Sequence, residues 1–121
     1  RDMTYSCAYW REPTESLEQA QHNKLDLLIA KLQLEPRHTV LEIGFGWGSL
    51  SMRIAKTVGC KVVGLTLSRE QKALAEERVA AAGLSELIEY ATSCASNRLS
   101  APRSAPRPAV RCPSPPFADL R

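Results

Sequence analysis

The sequence has no long hydrophobic run and no signal-peptide pattern. No stretch approaches the roughly 20 apolar residues that a membrane-spanning helix needs, and no charged segment leads into a short apolar one. Over 121 residues, the 44% hydrophobic and 24% charged composition is ordinary for one globular domain. We therefore expect a soluble cytoplasmic protein, whose contact with a membrane would be peripheral.

Metal-binding patterns are also missing. The four cysteines form no C-x-x-C pair, and they lie at Cys7, Cys60, Cys94 and Cys112. His22 and His38 are isolated from the cysteines and from each other. Because zinc sites draw their ligands from closely spaced Cys and His residues, we predict free thiols, surface histidines and no metal.

Basic charge is scarce outside the C-terminal segment. Residues 1–90 carry 11 Lys and Arg against 12 Asp and Glu, whereas residues 91–121 carry five Arg and one Asp. The net charge of +3 therefore gives no ground for predicting a nucleic-acid surface.

All six glycines precede Tyr90, and six of the eight prolines follow it. This composition predicts a disordered tail over 92–121, either inert or a Pro-rich ligand for another domain.

Hydrophobic spacing before the tail predicts alternating helices and strands. After a loop-like lead-in over 1–14, we predict a helix at about 15–33, a strand at 38–43, a helix at 48–57, a strand at 60–67, a helix from Ser68 to Gly83 and a weak strand at 86–90. Ser16 with Gln19, and Ser68 with Gln71, have the capping-box spacing. Residues 15–91 are thus predicted to be α/β, a partial Rossmann-like unit with a parallel sheet and right-handed crossovers.

A glycine-rich turn joins the first predicted strand to the next helix. The segment from Val40 to Ser49 reads Val-Leu-Glu-Ile-Gly-Phe-Gly-Trp-Gly-Ser, which puts an acid two residues before three alternating glycines. Glycine reaches positive φ and leaves no side chain between the backbone and a ligand. The pattern favours a binding turn, although a tight strand–helix turn without a ligand would also use glycine.

The spacing of this turn excludes two common nucleotide sites. A dinucleotide fingerprint would require glycine at position 49, which is Ser49, and a P-loop would require a Lys-Ser/Thr pair after the glycines. The acid-x-G-x-G-x-G order instead resembles motif I of the S-adenosylmethionine-dependent methyltransferases, in which the acid helps to hold the aminoacyl end of the cofactor.

Five segments together resemble the cyclopropane-fatty-acyl-phospholipid synthases and the related mycolic acid cyclopropane synthases. They span 3–8, 17–21, 24–27, 41–48 and 64–71. Trp47 in the glycine turn and the Thr-Leu-Ser-x-x-Gln pattern that ends at Gln71 distinguish this family from other methyltransferases. The resemblance covers about residues 2–90.

The resemblance implies a class I methyltransferase that transfers the methyl group of S-adenosylmethionine to the double bond of an unsaturated phospholipid acyl chain. In that family, methyl addition generates a carbocation, and loss of a proton to bicarbonate closes the ring. Because related members make methyl-branched or methylene-branched products, the resemblance does not decide whether the reaction ends in ring closure. The cation must be protected from water.

The resemblance also implies roles for individual residues. Tyr5 and Ser6 would contact the cofactor, and Cys7 would lie near the bicarbonate as the catalytic candidate. The methionine portion would be held by Glu42, Gly44, Gly46, Trp47 and Gly48. The positions after the second strand that match the family's cofactor contacts are Thr66, Leu67 and Gln71. Four of these residues have a structural alternative: Tyr5 and Trp47 as core aromatics, Cys7 as a small buried residue, and Gln71 as a capping residue only.

The sequence departs from the family at two places. Phe45 stands where the family usually has Cys, a change expected to affect packing. After Tyr90 the family continues with strands that hold bicarbonate and wall the acyl tunnel, and here the Pro- and Arg-rich segment follows instead. We expect a truncated family member that binds cofactor weakly and is weakly active or inactive. The abrupt change in composition near Tyr90 suggests an alternative exon, a retained intron or a change of reading frame. The alternative is a non-catalytic module whose basic tail binds an anionic lipid surface or a partner domain.

Overall fold

The computed structural model describes residues 3–92. The chain alternates helix and strand, in the order α1 Leu17–Leu32, β1 Thr39–Ile43, α2 Ser49–Val58, β2 Lys61–Thr66, α3 Arg69–Ala81 and β3 Ile88–Thr92. The three strands form one sheet in the order β1-β2-β3, and both pairings are parallel. The predicted α/β class and parallel sheet are confirmed. The tail predicted over 92–121 lies outside the described residues except for Thr92, which ends β3.

The core lies between the sheet and the helices α2 and α3. Side chains alternate along each strand, so that every second residue of β2 and β3 faces this core. The cluster comprises Phe45, Ile54, Ala55, Cys60, Val62, Ala75, Val79, Ile88 and Tyr90. Over residues 3–92, no helix is long and apolar enough to cross a bilayer.

The prediction that β1 is a buried strand is wrong for one of its faces. Leu41 is 59% exposed and Ile43 is 78% exposed, whereas Val40 and Glu42 point toward the core side. Two causes combine. The strand β1 is at an edge of the described sheet, and the described helices that pack on the sheet cover only the opposite face.

Two serines begin helices as predicted, but the capping boxes are only half formed. The Ser16 and Ser68 hydroxyls accept hydrogen bonds from the amides of Gln19 and Gln71, each at 3.1 Å. The return bonds are not made, because the amide of Ser68 donates to Thr66 Oγ1 at 3.2 Å and the side chain of Gln19 donates to Asn23. The side chain of Gln71 therefore does not bond the Ser68 amide and is free to contact other groups.

The buried face of α1 is more polar than its periodicity predicts. Ala20 and Leu25 are buried, but so are Gln21 and Asn23, whereas Leu17, Leu28 and Leu32 are exposed. The reason is that the two polar side chains bind the preceding segment: Asn23 donates to the Glu15 carboxylate and Gln21 donates to a backbone carbonyl. The helix packs on the lead-in as well as on α2.

The third strand begins two residues later than predicted. The chain between Gly83 and Leu87 folds as a turn, with the Leu87 amide donating to Leu84 O at 3.0 Å. The turn also holds the Ile88 amide, which donates to Leu84 O at 3.1 Å, and the first bond to β2 is the one that Leu87 O accepts from the Val62 amide at 2.8 Å. Ile88 is the first residue that pairs with β2, opposite Val62. Gly59 and Gly83 end the helices in the left-handed region, at φ 78° and 68°, as predicted.

Candidate functional site

The glycine turn lies at the carboxyl end of β1. Gly44, Gly46 and Gly48 have φ of 79°, 56° and 85°, a region that residues with a Cβ rarely adopt. The Gly44 amide donates to Leu65 O at 2.7 Å, which attaches the turn to β2. The three alternating glycines therefore allow the positive φ angles that the turn requires, and the turn leads directly into α2 at Ser49.

Glu42 is held below the turn by the first turn of α2. The Ser51 hydroxyl donates to Glu42 Oε2, and the Ser51 amide also hydrogen-bonds this carboxylate. Burial raises the pKa of Glu42, and the two bonds from Ser51 oppose that rise. Gly48, the N-cap of α2, has no side chain to cap the helix, so the carboxylate of Glu42 takes that position.

An aromatic pair supports the turn from the core. Phe45 stacks on Tyr90 with ring centroids 4.1 Å apart. The Tyr90 ring passes against Gly64, and its hydroxyl lies 2.6 Å from where a Cβ on Gly48 would stand. That hydroxyl is buried and makes no hydrogen bond of good geometry within the described part of the chain, although the Ser51 side chain lies near enough to lower its pKa. Burial is the main cause that raises the pKa of Tyr90 to about 12.

The lead-in crosses over the turn and is fixed to α1 and α2. The Gln21 side chain donates to Ser6 O at 2.8 Å, and Lys24 Nζ donates to Ser6 Oγ at 2.7 Å. Further along, the Tyr9 amide donates to Ala20 O at 3.0 Å. Thr4 Oγ1 donates to Ser49 Oγ at 3.3 Å. A segment without helix or strand is thereby held over the glycines.

Tyr5 joins the glycine turn to the segment after β2. Its ring lies 3.4 Å from the place of a Cβ on Gly46, and its hydroxyl accepts a 3.5 Å hydrogen bond from Gln71 Nε2. Gln71 Oε1 accepts in turn from Thr66 Oγ1 at 3.3 Å. The interpretation of Gln71 as a capping residue only is therefore wrong, because its side chain spans from Thr66 to Tyr5. The interpretation of Tyr5 as a core aromatic is also wrong, because Tyr5 is 73% exposed.

A cavity of about 370 Å³ lies between the lead-in, α1 and the glycine turn. Of the predicted site residues, six line it: Tyr5, Ser6, Glu42, Gly44, Gly46 and Trp47. The others lie outside its lining. Gly48 faces Tyr90, Thr66 is buried beside Gln71, and Leu67 is 84% exposed. Cys7 is also exposed, so its interpretation as a small buried residue is wrong.

Several lining residues were not predicted as site residues. They are Thr4, Lys24, Leu25, Leu28, Phe45, Ser49 and Leu50. Lys24, Leu25 and Leu28 were interpreted only as one face of α1, and periodicity cannot distinguish a helix that faces a core from one that faces a cavity. Phe45 does pack in the core, as expected, and it also lines the cavity. The signal available for Lys24 was a cation on an otherwise apolar helix face.

The fold and the site define a class of protein. A parallel α/β sheet, an acid at the end of its first strand and three alternating glycines over a cavity are the arrangement of a Rossmann-like methyltransferase. Comparison with known proteins then identifies the family. The model of the mycolic acid cyclopropane synthetase family matches residues 1–93, and the chain belongs to that family. Its relatives are S-adenosylmethionine-dependent methyltransferases.

Individual relatives agree with this assignment. The chain is 46% identical over 89 residues to a probable fatty acid methyltransferase of Pseudomonas putida, and this match covers 74% of this chain and 23% of that protein. It is 49% identical over 76 residues to the cyclopropane-fatty-acyl-phospholipid synthase of Escherichia coli K12, and this match covers 63% of this chain and 20% of that protein. The chain therefore spans about a quarter or less of these relatives' lengths.

A solved structure is similar in fold and in sequence. The mycolic acid cyclopropane synthase CmaA1, crystallised with S-adenosylhomocysteine (SAH) and CTAB, superposes with a TM-score of 0.66 at 39% identity. The match covers 74% of this chain and 31% of CmaA1. The predicted family and partial Rossmann-like fold are confirmed.

Proposed function

We propose that the cavity beneath the lead-in binds S-adenosylmethionine, and that the chain belongs to an enzyme that methylates the double bond of an unsaturated phospholipid acyl chain. One observation carries the cofactor part of this proposal. The acid and two glycines of motif I line the same cavity as Tyr5 and Ser6, although 36 or more residues separate the two groups in the sequence. Folding has thus brought separate predicted contacts to one place.

The residues present fit the cofactor chemically. The volume of the cavity lies within the usual range for small-molecule sites, about 300–1,000 Å³. Glu42 can pair with an ammonium group, the glycine backbone allows close approach, and the Tyr5 and Trp47 rings offer apolar walls against water. When bound, the cofactor supplies a methyl group on a positively charged sulfur. The SAH in the CmaA1 crystal supports the same ligand class here.

The acyl substrate is supported by the names of the relatives, which are a fatty acid methyltransferase and a cyclopropane-fatty-acyl-phospholipid synthase. It is also supported by Leu25, Leu28 and Leu50 in the cavity lining. Bicarbonate near Cys7, cytoplasmic location and peripheral membrane contact stay predictions. So does lipid or partner binding by the basic tail.

Calorimetric titration with SAH tests the cofactor part. We expect binding in the micromolar range, weaker than in an enclosed site, because β1 has no strand on its outer side within residues 3–92. Tyr5→Ala should weaken binding by about tenfold, since the Tyr5 side chain is 73% exposed without ligand and the cofactor would cover part of its apolar surface, a contribution of about 1.4 kcal/mol. Tyr9→Ala is the matched control, because Tyr9 lies on the same segment and outside the cavity. Absence of binding at millimolar SAH would overturn the proposal.

A separate assay tests the transfer reaction. Radiolabelled S-adenosylmethionine is incubated with vesicles of an unsaturated phospholipid, and label in the acyl chains is counted. We expect slow or undetectable transfer by these 121 residues alone. Where label is detected, equal labelling of a saturated phospholipid would argue against the double bond as the acceptor.

A further inference from the structure

Glu42 lies between the cavity and the buried side chain of Ser51. It lines the cavity, and its carboxylate also accepts hydrogen bonds from the hydroxyl and the amide of Ser51. Ser51 is 0% exposed, so no solvent competes for its hydroxyl. A buried hydroxyl whose proton is donated to a carboxylate restricts the rotamer of that carboxylate and favours its charged form.

The core behind this pair is closed by Tyr90. Its ring fills the space beside Gly48 and Gly64, and its hydroxyl makes no hydrogen bond of good geometry within residues 3–92. Because this side of the carboxylate of Glu42 is buried, it depends on Ser51 for its hydrogen bonds there. Burial is the main cause that raises the pKa of Tyr90, the Ser51 side chain lowers that pKa, and the charge of Glu42 raises it further. Ser51 and Glu42 therefore both lie close to the Tyr90 hydroxyl.

We propose that Ser51 is a positioning residue of the cofactor site, whose hydroxyl holds the Glu42 carboxylate ionised and directed at the ammonium group of the bound cofactor. This inference rests on the proposed function and deepens it, because it assigns a role to a residue that touches no ligand. It also explains why a serine hydroxyl is fully buried in α2 when a helix interior gains little from serine.

The charged and titratable groups around Glu42 come from three elements. Lys24 of α1 and Tyr5 of the lead-in line the same cavity, and Tyr90 of β3 lies behind it. With its pKa near 12, Tyr90 keeps its proton below pH 8. All three are present in each variant described next, so a difference between pH profiles is attributable to Ser51.

The test measures the affinity of the 121-residue chain for two ligands between pH 5 and 7.5. SAH carries the aminoacyl group, and 5′-methylthioadenosine lacks it. In Ser51→Ala we expect SAH to bind about tenfold more weakly at pH 7, because hydrogen bonds to charged groups are among the stronger ones. Loss of the hydroxyl removes one cause that lowers the pKa of Glu42, so SAH affinity should start to fall at a higher pH on acidification. Binding of 5′-methylthioadenosine should not change.

Thr57→Ala is the matched control, because it removes an exposed hydroxyl from the same helix whose partner is Arg53 O. It should bind both ligands like the unmodified chain. An unchanged SAH affinity and pH profile in Ser51→Ala would overturn the inference. Equal weakening of both ligands would also overturn it, because Ser51 would then act through the fold. If the unmodified chain binds neither ligand, the proposed function fails together with the inference.

Discussion

At the scale of single residues, two glycines with nearly the same φ have different surroundings. Gly44 and Gly48 have φ of 79° and 85°, but a Cβ on Gly44 would meet nothing within 4 Å, whereas one on Gly48 would lie 2.6 Å from Tyr90 Oη and 3.2 Å from Ala75 Cβ. Without a ligand, the first glycine is therefore required only by its positive φ, and the second by its positive φ and by packing together.

This difference predicts unequal costs of alanine substitution. Gly44→Ala should lower the free energy of unfolding by about 1–2 kcal/mol, the cost of a left-handed residue with a Cβ. Gly48→Ala should lower it by roughly a further 1–3 kcal/mol, because the new methyl group overpacks the core. Urea denaturation without ligand measures both, with Gly44→Ala as the internal control. Equal losses would mean that the Tyr90 ring moves aside freely.

The unpaired hydroxyl of Tyr90 gives a second prediction. An unsatisfied buried hydroxyl costs about 1–3 kcal/mol, so Tyr90→Phe should raise the free energy of unfolding by about 1 kcal/mol while the ring stays stacked on Phe45. Tyr9→Phe, at an exposed position, is the control and should change nothing. A loss of stability in Tyr90→Phe would show that the hydroxyl is paired, with the nearby Ser51 side chain, with a group beyond residues 3–92 or with bound water.

The site could be predicted in part from single positions, and the limits are physical. Glu42 and the three glycines were recognisable because alternating glycine after an acid has few other uses. Ser51 and Tyr90 could not be found in this way. Their roles depend on which strand lies beside which helix, and a one-dimensional pattern does not contain that information.

At the scale of elements, the starts of α1 and α3 and the ends of α2 and α3 were predictable because serine caps and glycine ends act locally. The position of β3 was missed by two residues, since the backbone bonds of the turn before it leave no trace in hydrophobic spacing. The exposure of β1 was missed for a different reason. Burial of a strand depends on its neighbours in space, so an apolar run cannot reveal whether it lies at an edge.

An ion pair connects the first two helices. Asp26 of α1 accepts bonds from Arg53 Nε and Nη2 of α2, at 2.8 and 2.9 Å, and the hydrogen bond from Arg53 lowers the pKa of Asp26. The pair is partly exposed, so solvent screening reduces its value.

We therefore expect Asp26→Asn to lower the free energy of unfolding by about 0.5–1 kcal/mol at pH 7. Because the folded-state pKa of Asp26 lies below the ordinary value of 3.8, this contribution is fully present above pH 4. It is lost as the pH falls through the folded-state pKa. Denaturation at a series of pH values from 7 to below 3.8 compares the variants. Glu76→Gln breaks an ion pair within α3 and is the control for an ion pair that connects no two elements. A difference between Asp26→Asn and the unmodified chain that does not shrink as the pH falls below 3.8 would contradict the assignment.

At the scale of the whole molecule, the sheet has one covered face and one apolar face that no described element covers. Leu41 pairs with Val63 and Ile43 pairs with Leu65, so four aliphatic side chains from two strands share the face opposite the core cluster. Contiguous apolar surface of this kind is unusual in monomeric proteins. The edge of β1 beside it also has unpaired backbone groups within residues 3–92.

This face should bind an environment-sensitive hydrophobic dye. Ile43→Lys places a charge at its most exposed aliphatic position, 78% exposed, and should reduce dye fluorescence by roughly half, since the patch is then interrupted. Leu17→Lys is the matched control, because Leu17 is 60% exposed at the start of α1, away from the sheet, and its replacement should leave the signal unchanged. Near-ultraviolet circular dichroism verifies that both variants keep their packed aromatic residues, since a loosened core would bind dye by itself. An unmodified chain that binds no dye would show that the face is covered in solution, and Ile43→Lys would then be expected to destabilise the fold.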